Sequence, residues 1–151
     1  MTQNTTFLAR KAGQDCPMCP DNHAADVVAE LSSGNVHLQN DADYRGYCIL
    51  IFRRHVVELH ELTAEERARW IEDMARIGSA ISQVCAPDKL NVAMLGNLVP
   101  HLHCHFMPRY MNDPDWGHPP VFRTPAERSL LTTEAFEALR NALADALARR
   151  A

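Results

Sequence analysis

The chain has no apolar run approaching the roughly 18 residues that span a membrane. Its first residues, MTQNTTFLARK, lack the apolar core of a secretory signal. The expected setting is the cytoplasm. An excess of positive charge is also missing: 15 Lys and Arg stand against 19 Asp and Glu, and the net charge of −4 argues against general attraction to nucleic acid or an anionic membrane. Any phosphate must be met by a local cationic pocket. No internal repeat, low-complexity tract or linker divides the 151 residues, so a single domain over 1–151 is expected, large enough to bury a core without disulfide staples. Cysteines are few and odd in number. Cys48, Cys85 and Cys104 lie in apolar surroundings, where a reduced thiol behaves as a small hydrophobe. Only Cys16 and Cys19, spaced C-x-x-C in DCPMCPD, form a pair, and that spacing suits half of a metal site or a redox pair.

What is present reads as alternating strands and helices. The first dozen residues are polar and expected to be ordered only by contacts with the rest. Pro17 and Pro20 stiffen the turn from Cys16 to Asp21 so that two sulfurs can share one side. ADVVAEL (25–31) reads as a short strand or a helical turn; taken as a strand, it predicts a hairpin with the VHL after Ser32-Ser33-Gly34-Asn35. YCILIF (47–52) is a continuous apolar run of strand length, as expected for a central strand covered on both faces. Thr63 with Glu66 fits a capping box, and Trp70, Met74, Ile77, Ile81 and Val84 follow at helical spacing until Ala86-Pro87 stops the helix. Lys89–Leu95 and His101–Met107 predict an antiparallel pair around Gly96-Asn97, and a long loop rich in Pro, Gly and Asn follows Arg109. Thr132 or Thr133 caps a last helix with Phe136, Leu139, Leu143 and Leu147 on one stripe. Hairpin-length connections favour an α+β fold: an antiparallel sheet of about five strands, a helix over about 63–85 and another over about 133–149.

Within NVAMLGNLVPHLHCHFMPR (91–109), His101, His103 and His105 alternate with Leu102, Cys104 and Phe106. On a strand, alternate side chains share a face, so three imidazoles oppose three apolar groups. Neutral imidazoles so placed can converge on one metal ion. Alternatively the middle one attacks phosphorus without a separate base, since an imidazole of pKa about 6.5 is largely neutral near pH 7.

His101-Leu102-His103-Cys104-His105-Phe106-Met107-Pro108-Arg109 resembles the signature of the histidine triad (HIT) superfamily, three histidines alternating with apolar residues. LNVAMLGNLVP resembles the lead-in found in a bacterial branch that includes diadenosine polyphosphate hydrolases, and the likeness extends over about 16–116, leaving about 125–151 as a helical extension. The resemblance implies a HIT-like fold, a homodimer, and a nucleotidyl hydrolase or transferase acting on a phosphoanhydride, phosphoramidate or dinucleoside polyphosphate. His103 would be the nucleophile and carry a nucleotidyl intermediate, His105 would contact the transferring phosphate, and His101 would orient its neighbours. Asn91 and Asn97 match phosphate-side positions, and Asp41 matches an acid that takes ribose hydroxyls. HIT members that keep C-x-x-C carry a structural zinc, which implies Cys16, Cys19, His55 and His101 as ligands, with His60 or His37 as alternatives to His55. No organic cofactor, nucleic acid or membrane partner is implied.

Two other readings stand beside this one: a nucleotide-binding or interaction protein with little turnover, and a metal-dependent hydrolase using all three histidines as ligands. Glycine-rich spacing before the triad, common in HIT enzymes, is replaced by GNLVP. Arg53 and Arg54 either steer phosphates or form a solvated strand end. Trp116 and Phe122 either flank a base or cover the core. His23, His37 and His118 are expected at the surface, and Trp70 and Met74 in the core or a dimer contact.

Overall fold

In the computed structural model, residues 3–20, 27–113 and 115–149 are described; His23, Asp21 and the start of the ADVVAEL run lie outside them. The expected hairpin forms from β1 (Val27–Glu30) and β2 (Gly34–Leu38), with Glu30 opposite Asn35. Gly34 is required there, because a Cβ would lie 1.9 Å from the carbonyl oxygen of Ile51 on the next strand. That strand, β3 (Cys48–Phe52), is buried at all five residues and lies between β2 and β5 (His103–Arg109), with β4 (Lys89–Ala93) at the far edge. The order β1-β2-β3-β5-β4 is antiparallel at each step. A continuous apolar run therefore marks a strand flanked and covered on both sides.

The long helix α2 (Ala64–Cys85) begins as its sequence predicts. The Thr63 hydroxyl accepts from the Glu66 amide, and the Glu66 carboxylate accepts from the Thr63 amide. It ends at Ala86, whose left-handed φ of 47° breaks the helical hydrogen bonding. Trp70, Ile77 and Ile81 face the sheet, with Met74 and Val84 at the margin. The last helix, α3 (Thr133–Ala148), is capped by Thr132 and lies against α2 and β1. Together they cover Val36, Leu38, Leu50, Phe52, Cys104 and Phe106. The buried carboxylate of Asp73 ties α2 to the β1–β2 turn, accepting from the Ser33 amide and from the Ser32 and Ser33 hydroxyls at 2.7–2.9 Å.

Two features depart from expectation. The N-terminal residues form a helix, α1 (Gln3–Lys11), which Arg10 anchors by donating to the Leu98 carbonyl at 3.0 Å. The strand β5 starts at His103 rather than His101, because the backbone around Leu102 bends to bond Val56 and Phe52. No helix of the described residues is long and apolar enough to cross a membrane.

Candidate active site and metal centre

The register places Ile51 opposite His103, Ile49 opposite His105 on one side and Ala93 opposite His105 on the other. His103 and His105 therefore share the sheet face turned away from the helices, while Cys104 and Phe106 sit in the helix-covered core. Their rings meet edge to face at 4.8 Å between centroids. His103 Nδ1 lies 2.6 Å from the carbonyl oxygen of His101. A carbonyl only accepts, so the His103 proton sits on Nδ1 and Nε2 keeps its lone pair. Burial pushes His103 below the ordinary imidazole range, against the opposing effect of that hydrogen bond. His105 is lowered to about 4, by burial first and then by His103 and Arg128. The face thus holds two neutral imidazoles at ordinary pH.

His101 does something else. Its Nε2 lies 2.8 Å from the Phe52 carbonyl, which turns Nδ1 toward sulfur: 3.5 Å from Cys16 Sγ and 3.8 Å from Cys19 Sγ. His55 repeats the arrangement, with Nε2 3.1 Å from the Lys11 carbonyl and Nδ1 3.5 Å from Cys19 Sγ. The four ligand atoms lie within 4.8 Å of one another. A tetrahedral ion of zinc's size, about 2.3 Å from sulfur and about 2.05 Å from nitrogen, sets sulfur-to-nitrogen edges near 3.6 Å. The Cys16–His101, Cys19–His101 and Cys19–His55 edges come close to this at 3.5–3.8 Å, and each imidazole gives its other N–H to a backbone carbonyl, which fixes the ligating tautomer. The residues fit a Cys2His2 metal centre. His60 is exposed on a short 3-10 turn and His37 lies on β2, so neither alternative joins the cluster.

The remaining residues expected at the site divide. Asn91 faces the same side as Met107, accepts from Arg109 at 3.0 Å, and lines a cleft of about 490 Å³ with Lys89, Trp116 and Phe122. Asn97 is exposed and lines a different groove with Phe7, Val57 and Leu102. Asp41 is buried: its Oδ1 accepts from the amides of Asp43 and Tyr44, and its Oδ2 lies 3.7 Å from Arg128. The structure thus gathers His103 and His105, opens Asn91 onto the adjacent cleft, and leaves Asn97 apart.

With this geometry in place, likeness to known proteins decides the family. The HIT domain model matches residues 21–112. The chain belongs to the histidine triad family. No curated protein matches it. Among solved structures, a histidine triad protein of Marinobacter aquaeolei VT8 shares 30% identity over 85% of this chain and 93% of its own, with a TM-score of 0.73. Another from Bradyrhizobium japonicum shares 28% over 80% and 89%, also at 0.73. A Zn-bound histidine triad family protein of Mycobacterium smegmatis shares 26% over 86% and 91%, at 0.62.

Several residues of this HIT protein take positions that its sequence did not assign them. His37 was expected at the surface but is buried, because β2 is an interior strand and its register sets His37 opposite Ile49 on the triad side. Arg109, the last residue of the motif, is buried and donates to Asp113, to Asn91 and to the carbonyls of Asp115 and His118, ordering the loop after β5. Phe122 returns from that loop to contact the His105 ring at 5.1 Å. Tyr47, read only as the first apolar residue of a strand, brings its hydroxyl to His105. The one available signal was parity, since 47, 49 and 51 fall on one face. Arg53 and Arg54 are strand-end residues: Arg53 donates to the Leu31 carbonyl and Arg54 pairs with Glu66.

Proposed function

We propose that this HIT protein is a nucleotidyl hydrolase or transferase acting through His103. The observation that carries the reading is the 2.6 Å bond from His103 Nδ1 to the His101 carbonyl, which aims an unprotonated Nε2 away from the backbone. That nitrogen attacks the α-phosphorus of a nucleoside phosphoanhydride, phosphoramidate or dinucleoside polyphosphate. A P–N bond forms, the bond to the leaving group breaks and its electron pair departs with that group. Water then displaces the imidazole and releases the nucleoside monophosphate. Such transfer depends on in-line positioning and on donors at the equatorial oxygens, and we assign His105 and Asn91 to the latter. Asp41 would reach ribose hydroxyls by exchanging its contact with Arg128. A bacterial diadenosine polyphosphate hydrolase is the subtype we favour, since the Asn91 cleft carries Trp116 and Phe122 as stacking surfaces.

In the metal centre we assign zinc to Cys16, Cys19, His55 and His101, supported by the donor set and its spacing. All four positions are protein ligands, so the ion would be structural and hold together the N-terminal turn, the end of β3 and the entry to β5. The Zn-bound Mycobacterium smegmatis relative supports the choice of metal. A metal hydrolase with three histidine ligands is disfavoured, because His101 faces sulfur while His103 faces a carbonyl. A homodimer is consistent with β4 lying at an edge of the sheet with Val92 exposed.

Incubation with a fluorogenic adenylated amide, followed by intact-mass measurement after an alkaline denaturing quench that preserves a P–N bond, tests the nucleophile. Wild type should release the fluorophore and gain one nucleotidyl mass, and His103→Ala should do neither. Turnover in that variant at the wild-type rate overturns the assignment. A second reading, nucleotide binding with little turnover, draws on the closure of the face: His103 and His105 are only 4% and 8% exposed. It predicts nucleotide affinity by titration with no release from any substrate.

A further inference from the structure

His103 and His105 lie two residues apart on one strand face, yet each Nδ1 meets a different partner. For His103 the partner is a carbonyl, which settles the tautomer. For His105 it is the Tyr47 hydroxyl at 2.7 Å, a group able to donate or accept. Tyr47 precedes β3 and is buried, and its ring lies 5.9 Å from that of His105. Among the described residues, His103, Phe122 and Arg128 face the pair, the last with its guanidinium 5.8 Å from the Tyr47 ring centroid, and Asp41 and Tyr44 also act on the phenol electrostatically.

We infer that Tyr47 is a positioning residue: its hydroxyl donates to His105 Nδ1, so the single imidazole proton of His105 sits on Nε2 and is available to a substrate oxygen. A phenol O–H is a better donor than a neutral imidazole N–H, and an imidazole nitrogen is a better acceptor than a phenol oxygen. The phenol, held up to about 12 by burial, keeps its proton at neutral pH. His105, lowered to about 4, carries only one proton at neutral pH. The reverse arrangement would leave a lone pair on His105 Nε2, facing a phosphate rich in lone pairs. Tyr47 and the His101 carbonyl thus give two neighbouring histidines opposite tautomers, one with Nε2 as nucleophile and one with Nε2–H as donor.

The catalytic consequence rests on the function proposed above, whereas the tautomer does not, so two measurements separate them. Two-bond 1H–15N correlation spectra of histidine-labelled protein, with His105→Gln identifying the resonance, should show His105 as the Nε2–H form in wild type. In Tyr47→Phe the Nδ1–H form should appear. Replacement of Tyr47 by 3-fluorotyrosine keeps the hydroxyl and should retain the wild-type tautomer, which also guards against a Phe variant that folds poorly. An Nδ1–H His105 in wild type, or a spectrum unchanged in Tyr47→Phe, overturns the inference whether or not the protein turns over substrate. Kinetically, Tyr47→Phe should lower kcat by about tenfold to a hundredfold with KM little changed. The same substitution should have little further effect in a His105→Gln background. A wild-type kcat in Tyr47→Phe alongside a changed tautomer overturns the positioning role and leaves the nucleophile assignment untouched.

Discussion

The corner that holds His101 and the face that holds His103 and His105 are built from one residue type within five positions of chain, and they do different work. At the corner, both imidazoles give Nε2–H to backbone carbonyls and present Nδ1 to two sulfurs. On the face, Nδ1 is the occupied nitrogen, held by a carbonyl at His103 and a hydroxyl at His105. A histidine's role is set less by its place in a motif than by which nitrogen its neighbours engage. The two regions join at one residue, because His101 turns its ring to the two sulfurs and its carbonyl to His103 Nδ1.

Substitutions that affect one region and spare the other sharpen this comparison. The largest effect is expected from His103→Ala, which should lower turnover by at least about a thousandfold while leaving metal content and melting temperature unchanged; metal analysis and a thermal scan check the second half. Cys16→Ser should do the converse. It should abolish stoichiometric zinc and lower stability by more than about 3 kcal/mol in denaturant titration, with loss of activity following loss of structure. Slow inactivation by chelator, tracking unfolding rather than preceding it, would mark the ion as structural.

A smaller effect separates the regions by pH. In the native state His105 sits near 4, whereas its ordinary value is 6.5. Between those values the unfolded chain binds more protons, so unfolding free energy falls as pH drops from about 6.5 toward 4. The His105 contribution is at most about 3 kcal/mol. Urea titrations at pH 7.5 and 5 should show a smaller acid-induced loss in His105→Gln than in wild type, and equal losses would break the assignment of a buried neutral imidazole. The smallest effect should come from Arg54→Ala, outside both regions. Its exposed pair with Glu66 predicts a change of less than about 1 kcal/mol and no change in turnover or zinc.

Much of the frame was legible without the structure, and for local reasons. The Thr63–Glu66 capping box and the Trp70 to Ile81 spacing describe α2 because helix starts and stripes are set by residues three or four apart. The run from Cys48 to Phe52 described a central strand, and the two-residue period put Cys104 and Phe106 opposite His103 and His105. His55 and His101 were placed with the cysteines through family likeness rather than spacing. The buried state of His37 and the inward turn of Asp41 were not legible, since each depends on which strand or loop becomes its neighbour. The departure of His101 from the strand has the same origin: Leu102 bonds the backbone of Val56 and Phe52, and no local rule names those partners.

By itself, then, the sequence determined the strands, the two longer helices, their faces and the motif that presents two imidazoles together, because backbone periodicity is a local property. Only the tertiary structure decided what each imidazole does. Cys16 and His101 are 85 residues apart and Tyr47 and His105 are 58 apart, yet each pair is within 3.5 Å. The proton on a histidine ring follows its nearest donor or acceptor, and the fold brings that partner from another strand or turn.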